Sequence, residues 1–135
     1  APVITSARIC GCAATWSMRR CLVGQPLTQY TAAQKLHKAG VKVALSSIDN
    51  ADVRQLLWEA GFQHRRDTEV VSEAAAIGMV TWEVADAFGL SSLGRISEGQ
   101  SADFVALDGH PLQFGSHITL VASSNLGTVC HPKQD

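Results

Sequence analysis

The hydrophobic pattern changes period near residue 90, and that change limits what this chain can fold into. Up to residue 90 apolar residues recur at helical spacing, and glycines separate the helical stretches from short apolar runs. Beyond it only short strand-like runs remain, divided by turn residues. At most two strand–helix units can be counted in the first part. A parallel α/β sheet needs several such units to cover its faces or to close a barrel. The pattern therefore predicts the end of an α/β protein, with terminal βα units over residues 1–90 and an antiparallel β piece over 91–135.

The helical stretches carry local start and stop signals. Thr28 or Thr31 caps a predicted helix ending at Lys38, with Ala33, Leu36 and Ala39 near one face. Lys35 and Lys38 lie in its last turn, and Gly40 stops it. Val41–Leu45 then reads as a buried strand. Asp49 or Asn50 caps the next helix, whose stripe is Val53, Leu56, Leu57 and Ala60 and whose stop is Gly61. Residues 62–68 read as a polar connection that leaves His64 exposed beside Arg65 and Arg66. Ser72 caps a helix through Met79, and Thr81 one through Phe88, with Trp82, Ala85 and Phe88 on one stripe. Gly89 and Leu90 fit a left-handed ending. Residues 1–9, Arg95–Ile96, Asp103–Leu107, His117–Ala122 and Thr128–Cys130 read as strands.

Composition excludes several classes. Charged residues are 17% and hydrophobic residues 46% of the 135 positions, which argues against a disordered chain. No apolar run approaches the ~18 residues of a membrane-spanning helix. The charge is uneven: residues 1–48 hold six basic residues and no acidic ones, against five basic and twelve acidic in the rest. Attraction between two parts of one fold, or counter-charge from a further segment, accounts for this more simply than a nucleic-acid arm. The basic stretch lacks interleaved aromatics and a recognisable module, so nucleic-acid binding is the weakest reading. The first residue is Ala rather than Met, so the expectation is a chain that was processed, trimmed, or is part of something longer.

Cys10, Cys12, Cys21 and Cys130 lack zinc-knuckle spacing. Buried free thiols are the default, and one bridge from the N-terminal cluster to Cys130 is the alternative in an oxidising compartment. The glycines serve turns, since no phosphate-binding loop is present. Asp103 reads as a turn cap, His110–Pro111 as a turn, and Trp16, Trp58 and Trp82 as packing residues.

The order of motifs from residue 80 onward is more specific. Thr81, Ala85, Gly89 and Leu90 follow a T-x-x-x-A-x-x-x-G-L pattern. Gly94, Ile96, Gly99, Ala102, Asp103, Val105, Leu107, Asp108, Gly109, Pro111 and Leu112 follow G-x-I-x-x-G-x-x-A-D-x-V-x-L-D-G-x-P-L. This resembles the C-terminal end of metal-dependent amidohydrolases. Thr5 to Arg8, Trp16, Arg19–Arg20, Gly24, Pro26–Thr28 and Gly40–Val41 are similar to the imidazolonepropionase-like, fungal carbohydrate-esterase-like branch.

The resemblance implies a C-terminal fragment of a (β/α)8 barrel with a small β-sandwich. Residues 41–46 would be the eighth barrel strand and 91–135 the sandwich piece. It implies hydrolysis of C–N or ester bonds by a metal-activated water, with zinc in the parent family. Asp49 takes the position of the family's catalytic and metal-binding Asp. It follows Ser46–Ile48, where Gly-Thr or Gly-Ser is common. Arg19 and Arg20 are candidates for contacting an anionic substrate group. The family's His-x-His pair has no counterpart among His37, His64, His110, His117 and His131. The isolated chain is therefore expected to hold no metal and to be inactive without the parent's N-terminal portion. A non-catalytic module that binds a partner or forms a homo-oligomer is the alternative.

Overall fold

The computed structural model describes residues 30–47 and 52–130. Helix α1 spans Ala32–Lys38. Its start is closed reciprocally: the Thr31 hydroxyl accepts from the Gln34 N–H (3.1 Å), and the Gln34 side chain accepts from the Thr31 N–H (2.9 Å). Two of the amide donors that a helix start leaves free are thereby satisfied. Gly40, at φ +77°, turns the chain at the other end. The Val41 N–H reaches back to Leu36 O and the Gly40 N–H to His37 O, the six-to-one and five-to-two bonds of a left-handed cap. Ala39 is exposed rather than on the buried face.

Residues 41–47 form no strand, contrary to the reading of Val41–Leu45. Val43 and Leu45 are buried while Lys42 is exposed, so the alternation that suggested a strand is real. A strand, however, is defined by its ladder. The one sheet among the described residues lies elsewhere in the chain. What holds this segment to the helices is the Leu45 N–H, which donates to Met79 O (2.8 Å).

A 3-10 turn at Asp52–Gln55 leads into α2, Leu56–Arg66. Gly61 does not end this helix. It is buried at mid-helix, where a Cβ would lie 3.1 Å from Leu112 O. Glycine here permits close approach of a loop, and that contact outweighs its poor helix propensity. Residues 62–66, read as a polar connection, are consequently helical. The buried face also rotates: Ala60, Gly61 and Gln63 point inward, and Val53 is 56% exposed.

Helices α3 (Glu73–Gly78) and α4 (Trp82–Ala87) follow. Ser72 Oγ accepts from the Ala75 N–H (3.2 Å), as its position predicts. Thr81 does not cap α4 with its side chain; its hydroxyl donates back to Ile77 O (2.8 Å) and ties the two helices together. At the end of α4, Gly89 sits at φ +73° and the Leu90 N–H bonds Ala85 O (2.8 Å). Phe88 is 74% exposed, so it leaves the predicted stripe.

Arg95–Ile96 is not a strand, and Ile96 is 91% exposed. Gly94 and Gly99, both at φ +81°, keep the stretch in turns, closed by the Ser101 N–H on Ser92 O (2.9 Å). The remaining strands form an antiparallel sheet in the order β1 (Phe104–Leu107), β2 (Ile118–Ser123), β3 (Gly127–Cys130). Phe104 pairs with Ala122 and Val105 with Val121, with a register shift between Ala106 and Leu107. Asp103 behaves as the predicted turn cap: its carboxylate accepts from the Ser124 N–H (3.1 Å) and hydroxyl (2.9 Å).

The core gathers Ala33, Val43, Leu45, Ala60, Val71, Ala76, Met79 and Leu112. Among the described residues Leu112 is the only core member from beyond residue 90, so the loop between β1 and β2 roots the C-terminal part among the helices. None of the described helices is long and apolar enough to cross a membrane.

Candidate functional site

Asp49, Arg19 and Arg20 lie outside the described residues, as do Cys10, Cys12 and Cys21. What the structure describes is the approach to Asp49. Residues 41–47 are seated by the Val43 and Leu45 side chains in the core and by the Leu45–Met79 backbone bond. Lys42, just before Val43, faces outward and pairs with Asp86 of α4 at 2.9 Å. Arg95 approaches the same carboxylate at 3.9 Å. The hydrogen bond from Lys42 holds the Asp86 carboxyl below its ordinary value, and the same bond raises the Lys42 ammonium.

Beside this segment lies an open cavity of about 320 Å³, bordered by His37, Lys42, Val43, Met79, Trp82 and Glu83. Trp82 closes one side as a packing residue. Its ring lies so close to Gly78 that a Cβ there would stand 2.4 Å from Trp82 Cζ2. The Arg95 guanidinium sits 5.0 Å from the same ring. Trp58, by contrast, is half exposed and stacks at a tilt on Phe114, with ring centroids 5.0 Å apart.

The described histidines are dispersed. His64 is in α2 and partly buried, not in an exposed loop; its Nδ1 lies 2.8 Å from Val71 O. That carbonyl can only accept, so Nδ1 carries the proton. His110 Nδ1 accepts from the Leu112 N–H (3.2 Å), which directs its Nε2–H to Glu73 Oε1. His117 Nδ1 lies 3.2 Å from Asp108, whose carboxylate also accepts the His117 N–H (2.7 Å). Each is a loop or helix tie. Among the described residues no group of three or more His, Cys, Asp or Glu could hold a metal ion. The described residues therefore do not form a metal centre by themselves.

The sequence missed the ties that join the two parts of the chain. His110–Glu73 and Gly61–Leu112 connect positions 37 and 51 residues apart, and periodicity carries no signal at that range. The buried pair Gln34 and Gln63 was equally silent, since nothing in the local sequence marks a glutamine for burial. The Thr31 hydroxyl donates to Gln63 Oε1 (2.6 Å), and Gln34 Nε2 to Gln63 O (3.1 Å).

Comparison with known proteins decides the family. The amidohydrolase family model matches residues 4–130. This chain belongs to the amidohydrolase family. Amidohydrolase tasK of Hapsidospora irregularis is 31% identical over 96 residues, covering 69% of this chain and 10% of that protein. The crystal structure of an amidohydrolase from Thermotoga maritima MSB8 superposes with a TM-score of 0.67 at 26% identity, over 78% of this chain and 27% of that one. A second amidohydrolase crystal structure gives 0.52 at 29% identity, over 71% of this chain and 24% of that one. The amidohydrolase chain thus spans about a tenth of the curated relative and about a quarter of the solved ones. These matches carry the family and an α/β fold. The described residues do not close a barrel.

Proposed function

We propose that this chain is the C-terminal portion of an amidohydrolase that cleaves C–N or ester bonds with a metal-activated water. On this reading residues 41–46 take the place of the last barrel strand, and β1–β3 belong to a small β-sandwich beside the barrel. A divalent metal, zinc by the family resemblance, would lower the pKa of its bound water and so supply the attacking hydroxide near neutral pH. Its remaining ligands would come from the rest of the barrel. Asp49 would bind it and pass a proton to the leaving group, and Arg19 and Arg20 would contact an anionic group of the substrate.

The observation that carries this reading is the superposition on the Thermotoga maritima amidohydrolase, which takes in 78% of the chain. It agrees with the family match over residues 4–130, a span that contains Asp49, Arg19 and Arg20.

The test grafts this chain in place of the matched segment of that amidohydrolase. Metal content and turnover are then measured on a panel of amides, cyclic amides and esters. The graft is expected to hold metal and hydrolyse at least one substrate, while the chain alone turns over none. In the graft, Asp49→Asn should lower turnover by about 10²–10⁴-fold, the usual contribution of a positioned acid–base group. A folded, metal-loaded graft indifferent to that substitution overturns the assignment. A chain that runs alone as a folded, metal-free dimer supports a self-associating module instead.

A further inference from the structure

We draw no further inference here: the strongest candidate, the uncharged apolar faces of the three-stranded sheet β1–β3, carries nothing because nothing in the structure shows what covers them.

Discussion

Gly61 of α2 lies against Leu112 of the β1–β2 loop so closely that a Cβ would meet Leu112 O at 3.1 Å and Leu112 Cβ at 3.4 Å. This contact lets the loop carry its one core side chain down to the helices. Gly61→Leu must push the loop away, and overpacking of this kind costs about 1–3 kcal/mol. Urea unfolding should show a lower midpoint. An unchanged midpoint would mean that the loop does not rest on the helix.

Leu112 is the other half of the same contact, buried at 4% exposure. Leu112→Ala should cost about 2–5 kcal/mol through lost burial and the cavity left behind. Combined with Gly61→Leu, the loss should be smaller than the sum, because the new leucine occupies the vacated space. Neighbouring sites typically couple by about 0.5–3 kcal/mol. A strictly additive double variant would contradict the packing described.

The two side-chain N-caps among the described helices differ in what they hold. Ser72 satisfies one backbone N–H, whereas Thr31 also donates to the buried Gln63. Ser72→Ala is expected to cost about 1 kcal/mol. Thr31→Ala should cost about 1–3 kcal/mol more, because it strands a buried acceptor. Thr31→Ser, which keeps the hydroxyl, should recover most of the difference. Equal losses for the two alanine variants would remove the buried network from the account.

Lys42 and Asp86 give a stability contribution with two pH limits. The Asp86 carboxyl is held below its ordinary value of 3.8, so its share is full above 3.8 and lost as pH falls through the lowered value. The Lys42 ammonium is raised above 10.5, so its share is full below 10.5 and lost as pH rises through the raised value. Both groups are solvent-exposed, so the effect is small and weakened by salt. Asp86→Asn should lower the urea midpoint slightly at pH 7, and the difference should narrow as pH falls toward 2. A difference that persists unchanged at pH 2 would show that the substitution acts through packing instead.

Asp103 should behave similarly on the acid side alone. Its carboxyl is held below 3.8 by hydrogen bonds from Ser123 and Ser124. Its contribution is therefore present above that value and lost as pH falls through the lowered one. Asp103→Asn should loosen the turn between β2 and β3, read as faster amide exchange at Ser124 near pH 7. Unchanged exchange there would rule out the carboxylate as the turn's anchor.

Features set within a few residues were legible in the sequence. The starts at Thr31 and Ser72 and the stops at Gly40 and Gly89 depend on backbone groups one helical turn away. The family was legible too, because the spaced residues from Thr81 to Leu112 form a long ordered pattern. The candidate site rests on that resemblance alone, since Asp49, Arg19 and Arg20 lie outside the described residues. Tertiary structure decided the rest. Gly61 reads as a stop until Leu112 arrives from 51 residues away and makes the missing side chain an asset. Val41–Leu45 has a strand's alternation, yet becomes a strand only beside a ladder partner. Val53 and Phe88 fit helical stripes, but which side of a helix is buried depends on what packs against it. Thr81 stands where a cap should be and bonds the preceding helix instead. Periodicity records what each segment can bury, and only the packing of distant segments decides what it does bury.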